Sequence, residues 1–272
     1  MAYERPGESP INYQQCRYGN SKLLFRGPKG NTKQKFMAFI GGTETYGKYI
    51  LQPFPNLIQN QLGMPCLNFG AVNGGVDAFA NDDSILSICS RARVTVVQVM
   101  GAHNMSNRFY SVHPRRNDRF LKASTLMRTI FREVDFTEFA FTRHLLTTLK
   151  TLSPDKFEVL EQELKAAWLA RMELLLSKIS GKVVLLWVSE EPPSDPKRER
   201  DLGKDPLFVD RTMIAGLREL VSDYVEIVVP RDIIDQGTEG MLYPELEAAA
   251  AREMYGPGLH RMISDRLVSV LS

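Results

Sequence analysis

Cysteine is scarce in this chain: Cys16, Cys66 and Cys89 are the only three among 272 residues, an odd number, widely spaced, with no CxxC pair. That excludes a disulfide framework and a zinc ribbon, and reads as reduced core thiols of a cytoplasmic protein. No apolar run approaches the roughly 18 residues that a membrane span needs, so none is expected. The opening MAYERPGESPINYQQCRYGN has no apolar segment of the kind a signal peptide requires. Excess charge of either sign is also missing. Lys plus Arg number 34 and Asp plus Glu 32, a net charge of +2, which gives no global field toward nucleic acid or a membrane surface. GxxxxGK[ST], GxGxxG and HExxH are all absent, so no nucleotide, dinucleotide or zinc signature exists and no cofactor or metal is expected. Glu44, Asp77, Glu190 and Glu191 fall on loops but without metal-ligand spacing. There are no internal repeats.

What is present is an ordinary globular composition, 43% hydrophobic and 24% charged. Five apolar runs stand out: KFMAFI (35–40), PCLNFG (65–70), VTVVQVM (94–100), KVVLLWV (182–188) and VEIVVP (225–230). Each is nearly continuous in hydrophobicity rather than alternating, as befits strands buried on both faces of a parallel sheet. Helical patterns lie between them, at Pro55–Leu62, Asp82–Cys89, Thr212–Leu220, Tyr243–Glu253 and Leu259–Leu271. Strands alternating with helices predict a three-layer α/β/α fold around a five-stranded parallel sheet.

The chain is read as one domain over residues 1–272. Residues 1–35 form a polar N-terminal arm, with a short strand expected at Lys22–Phe25. Residues 105–180 form a helical insertion between the third and fourth strands. Within it, SPDKFEVLEQELKAAWLARMELLLSKISG is a long helix, N-capped by Ser153, with Pro154 at its first position and Gly181 past its end. Phe157, Leu160, Leu164, Trp168 and Met172 recur at steps of three and four and form its core stripe. Residues 119–151, including RFLKASTLMRTIF, are expected to add one or two helices. EEPPSDPKRERDLGKDP (190–206) is a loop.

Ligands of open parallel sheets bind beyond the carboxyl ends of the strands. Here those ends read GGTETYG, GAVNGGVDAF, GAHNMSNRFYSVHPRRNDRF, SEEPPSDP and PRDIIDQGTEG, and they concentrate Gly, Asn, hydroxyl, His and Arg. The first loop raises three possibilities: a nucleophile, an anion cradle, or a plain tight turn.

The order of these loops resembles the SGNH hydrolase superfamily, the GDSL esterases and lipases, whose fold is flavodoxin-like. Gly41-Gly42-Thr43 stands where that family has its G-D-S block, Gly74 or Gly70 matches the glycine after the second strand, and Gly101-Ala102-His103-Asn104 fits the G-x-x-N block. The resemblance implies Thr43 as nucleophile, with the Thr43 amide, the Gly74 amide and the Asn104 side chain as oxyanion donors. Three departures stand out. Threonine replaces serine, Gly42 replaces the aspartate of the G-D-S block, and the D-x-x-H block is missing: YGPGLHRMISDRL holds His260 without an aspartate three residues before it. A hydroxyl needs a base. Of the four histidines, His260 ranks first, with His113 and His103 behind it, and His144 reads as structural. The whole chain also resembles a bacterial protein family of unknown function.

Gly42, Glu44, Thr45 and His103 line the expected substrate site. Arg108, His113, Arg115 and Arg116, in SNRFYSVHPRRNDRF, suit phosphate, sulfate or carboxylate. Structural bridges, for example to Asp118, are the alternative. The expectation is an SGNH-like hydrolase or acyltransferase acting on an ester of an anionic small molecule or saccharide. The alternatives are a catalytically silent SGNH-like binding module and a polysaccharide-modifying transferase. No nucleic acid partner is expected, and a homo-oligomer is compatible with the sequence.

Overall fold

The computed structural model describes residues 10–194, 202 and 204–272. The first residues of the expected arm and much of the 190–206 loop therefore lie outside the described residues. The strands are β1 (Met37–Gly41), β2 (Cys66–Gly70), β3 (Thr95–Gln98), β4 (Tyr110–His113), β5 (Arg116–Ala123), β6 (Val183–Ser189) and β7 (Asp223–Val228). The helices are α1 (Thr43–Tyr46), α2 (Phe54–Leu62), α3 (Val76–Ala80), α4 (Asp83–Cys89), α5 (Thr125–Ile130), α6 (Thr142–Leu152), α7 (Pro154–Ser177), α8 (Arg211–Leu217), α9 (Arg231–Ile234), α10 (Ala248–Ala251) and α11 (Pro257–Leu271).

Five strands form one sheet in the order β2-β1-β3-β6-β7, and every pairing is parallel. This is the three-layer α/β/α fold that the unbroken apolar runs predict. β1 and β6 are buried along their whole length because both faces are covered. Alternate residues of β1 show the division. Ala38 and Ile40 pack with α3, α4 and α7, through Phe79, Leu86 and Trp168. Met37 and Phe39 pack on the other face with α2 and α11, through Phe54, Ile58, Ile263 and Leu267. Burying one such side chain is worth about 1.5–3 kcal/mol.

The arm does not stand away from the fold. Tyr18, Leu23 and Phe25 are buried with Phe69, and the expected strand reduces to a single antiparallel bridge between Cys16 and Phe25. The insertion differs more. RFLKASTLMRTIF (119–131) was expected within a helix; instead its first five residues belong to β5, Arg116–Ala123, paired antiparallel with β4, and the helix α5 begins only at Thr125. A separate apolar cluster, Phe120, Met127, Leu145, Phe157 and Leu160 among others, holds that hairpin against α6 and α7, so tertiary packing overrode the local helical pattern. α7 starts at Pro154 as expected, but Ser153 makes no side-chain cap and the helix ends four residues before Gly181. Trp168 donates its indole N–H to the Met100 carbonyl at 2.8 Å, fastening α7 to the loop after β3. No helix among the described residues is long and apolar enough to cross a membrane.

Candidate functional site

The order β2-β1-β3 reverses direction at β1, and at such a switch point the loops leaving β1 and β3 part to leave a crevice. A cleft of about 430 Å³ lies there. It is lined from β1 by Gly42, Thr43 and Glu44, from β2 by Asn73 and Gly74, and from β3 by Gln98, His103 and Asn104. Asp118 and Arg143 reach it from the insertion, Lys204 and Asp205 from the loop after β6, and Arg252, Glu253 and Tyr255 from the segment before α11.

Thr43 opens α1, where the amide of a first-turn residue has no intrahelical carbonyl to bond. Its hydroxyl accepts the Asn73 backbone N–H at 2.9 Å and donates to Asn73 Oδ1 at 3.4 Å, a long bond. Asn73 sits in the left-handed region, φ 57°, which asparagine tolerates better than most residues. Its Nδ2 donates to Asp118 Oδ2 at 3.1 Å, and its carbonyl accepts the Asn117 N–H at 2.9 Å. A continuous chain therefore runs Thr43–Asn73–Asp118. Gly75 is required beside it: a Cβ there would stand 2.2 Å from the Asn104 carbonyl oxygen.

Asn104 is oriented by Thr142, whose hydroxyl donates to Asn104 Oδ1 at 2.7 Å. The amide nitrogen is thus the end left to donate to an incoming oxygen. Glu44, partly buried on the same wall, has its carboxyl pushed up to about 7 by burial, with Asp205 adding to the rise and its own backbone N–H opposing it. His103 is buried, and burial lowers the pKa of its ring; Asp205 opposes that shift and Arg143 reinforces it. The ring stays neutral near pH 7. Its Nδ1 has no hydrogen-bond partner, and neither does Asp118 Oδ1. Gly101 makes room for the ring, since a Cβ there would come within 2.7 Å of Nδ1. Burial also raises Asp118, against the pull of Arg116 and Arg119.

The structure brings Gly42, Thr43, Glu44, Gly74, His103 and Asn104 to one cleft and leaves the other expected site residues outside its lining. His260, ranked first as base, is 1% exposed between α11 and α2. Its Nδ1 accepts the Phe54 N–H at 3.1 Å, its ring stacks on Phe54, and burial, with Arg26, lowers its pKa to about 3. It caps α2, whose N-cap Pro53 offers no side-chain acceptor. Gly74 lines the cleft, but its N–H donates to the Ala71 carbonyl at 2.9 Å, so it is not an oxyanion donor. Thr45 turns inward, its hydroxyl donating to Gln98 Oε1.

The arginine cluster lies elsewhere. Arg108 pairs with Glu163 at 2.7 Å. His113 Nδ1 accepts the N–H groups of Arg115 and Arg116, which closes the hairpin turn and leaves both arginines exposed. Among the described residues no group of three or more His, Cys, Asp or Glu is placed to hold a metal ion.

Sequence reasoning gave no role to Asn73, Arg143, Asp205 or Tyr255, and weighed Asp118 only as a bridge partner for the arginines. Tyr255 had one usable signal, since it occupies the stretch before the last helix where the D-x-x-H block would fall. Arg143 and Asp205 are 62 positions apart and meet only through the insertion.

Chemically, the cleft offers a hydroxyl, a carboxyl that titrates near neutrality, a neutral imidazole and an amide donor. Such a set can activate a nucleophile, move a proton and hold a developing negative charge. The fold belongs to the open α/β class, with the cleft at the switch point of its sheet. The family model for a domain of unknown function, DUF6473, matches residues 1–272, and the chain belongs to that family. No curated protein matches the chain. Among solved structures it is similar to BT4096, a gut microbial diltiazem-metabolizing enzyme, at 12% identity and a TM-score of 0.38, over 86% of this chain and 46% of that one. This chain spans less than half the length of that enzyme's chain.

Proposed function

We propose that the cleft carries out acyl transfer from an ester of a small polar molecule, to water or to an acceptor hydroxyl, in the manner of the SGNH hydrolases that the loop order resembles. The observation that carries this reading is that Thr43, Glu44, His103 and Asn104, from loops some sixty residues apart, line one cleft at the carboxyl ends of β1 and β3. Thr43 is the nucleophile. Its oxygen already accepts the Asn73 N–H, a contact that also stabilises an alkoxide, and its own proton is held only by the long bond to Asn73 Oδ1. In the first half-reaction Thr43 Oγ1 bonds to the acyl carbon, its proton passes to the Glu44 carboxylate, and the ester C–O bond breaks as that proton reaches the departing alkoxide. In the second, water or an acceptor hydroxyl attacks the acyl-threonine and Glu44 shuttles the proton back to Thr43. Asn104 Nδ2 donates to the carbonyl oxygen as charge builds on it. A carboxyl titrating near 7 suits both directions of that transfer.

The test is intact-mass analysis after treatment with a fluorophosphonate, alongside phenyl acetate turnover, on wild type, Thr43→Ala and Glu44→Gln. The expected result is one adduct, lost in Thr43→Ala and slowed in Glu44→Gln, with turnover falling in both variants. Full turnover by Thr43→Ala would overturn the mechanism.

A binding module is the second reading. It is favoured by the engagement of the Thr43 hydroxyl with Asn73 on both its donor and acceptor sides, with no histidine or carboxylate bonded to it among the described residues. Absence of both adduct and turnover, in a protein that still binds small polar molecules in the cleft, would support it.

A further inference from the structure

The charge of the occupant can be inferred from the groups in the cleft that still lack partners; this inference rests on the reading of the cleft as a site for ester chemistry. Five carboxylates line it against three cations. Arg143 pairs with Asp205 at 3.2 Å, and Lys204 pairs with Glu190. The carboxylates of Glu44, Asp118 and Glu253 have no ion pair among the described residues, against one remaining cation of the lining, Arg252.

The unpartnered buried atoms point the same way. Asp118 Oδ1 is buried with no hydrogen bond, and so is Nδ1 of His103, a residue only 6% exposed. An ionised carboxylate oxygen can only accept, and a neutral imidazole accepts at Nδ1 when its proton sits on Nε2. Both atoms lack a donor. A phosphate, sulfate or carboxylate would bring acceptors and negative charge to a wall already rich in both. The ring of Tyr255 adds a face that attracts cations.

We propose that the molecule whose ester is processed carries an ammonium group, its N–H donors directed to Asp118 and its charge balanced by Glu44 and Glu253. This reverses the anionic substrate expected from Arg108, Arg115 and Arg116, none of which lines the cleft.

The test is isothermal titration of the full chain at pH 7.5 with 4-hydroxybenzylamine and with 4-hydroxybenzoate, which share a phenol and differ in the charged group. The amine should bind about ten-fold tighter or better, with the gap narrowing as salt is raised. Asp118→Asn should erase most of the preference. Glu253→Gln, at an exposed position where folding is not at stake, should reduce it about two-fold. Equal affinities, tighter binding of the benzoate, or no binding of either probe would overturn the proposal. Neither probe contains an ester, so the result does not depend on Thr43 chemistry. Amine preference without a fluorophosphonate adduct or turnover would keep this inference and remove the acyl-transfer reading. Turnover of phenyl acetate with benzoate preference would do the reverse.

Discussion

His103 and His260 are both buried, yet the regions around them differ in kind. The seam between α2 and α11 satisfies its histidine: Nδ1 caps an orphan helix N–H, the ring stacks on Phe54, and apolar neighbours exclude water. The cleft leaves its histidine unsatisfied at Nδ1, and its lining also holds a carboxylate oxygen in the same condition and a carboxyl shifted to about 7. A fold that meets the hydrogen-bonding demand of one buried imidazole and leaves the other unmet marks where a ligand is expected to complete the set. The residue that sequence order placed first as base thus proves to be a helix cap, and the third-ranked one stands in the cleft.

Substitutions on either side can break this comparison. The largest expected effect is in the cleft: Glu44→Gln should lower kcat/KM for phenyl acetate about a hundred-fold. The same change should raise stability at high pH. Folding lifts the Glu44 carboxyl from its ordinary value near 4.5 to about 7. Its contribution is therefore fully present below pH 4.5 and lost as pH rises through 7. Since the group is only partly buried, the gain for Glu44→Gln at pH 8 is about 1–2 kcal/mol, vanishing near pH 4.5. Thermal melts at the two pH values check it; equal melting of variant and wild type at pH 8 would show that the carboxyl is not strained.

Next is His260→Ala, which removes a packed ring and uncaps Phe54. It should cost about 2–4 kcal/mol of stability while leaving turnover per folded molecule unchanged. The sign with pH is opposite to that of Glu44. Its folded pKa of about 3 lies below the ordinary value of 6.5, so its contribution is whole above pH 6.5 and is lost as pH falls toward 3. Urea titrations should therefore show the gap between wild type and variant narrowing from pH 7 to pH 5. A large loss of turnover in folded His260→Ala would dissolve the distinction between the two regions.

Asn73→Gly is a finer probe. Glycine relieves the left-handed backbone, so melting should shift by less than about 1 kcal/mol, while loss of the amide link between Thr43 and Asp118 should cut turnover about ten-fold. The smallest effect belongs to Arg115→Ala with Arg116→Ala, exposed at the hairpin tip: less than about two-fold on probe binding or turnover.

The parallel sheet was legible because strands buried on both faces must be apolar at every position, and runs such as KVVLLWV can satisfy no other environment as well. The floor of the cleft was legible at Thr43, His103 and Asn104 because residues just past strand ends are carried to one edge of a parallel sheet. The β4–β5 hairpin was not legible, since RNDRFLKA has no unbroken or alternating apolar pattern and is held as strand by a cluster formed with α6 and α7. Nor was the paired state of the Gly74 amide, which depends on the turn to Ala71.

By itself, then, the sequence determined the layer architecture, the succession of strands and loops along the chain, and the absence of the usual cofactor and zinc signatures, because these follow from local hydrophobic continuity and residue type. Only the tertiary structure decided which histidine faces the cleft, which carboxylates remain unpaired, and that the arginines of the hairpin stay outside it. Those outcomes depend on side-chain direction, desolvation and partners brought from far along the chain, and each is set by three-dimensional neighbours that no local pattern encodes.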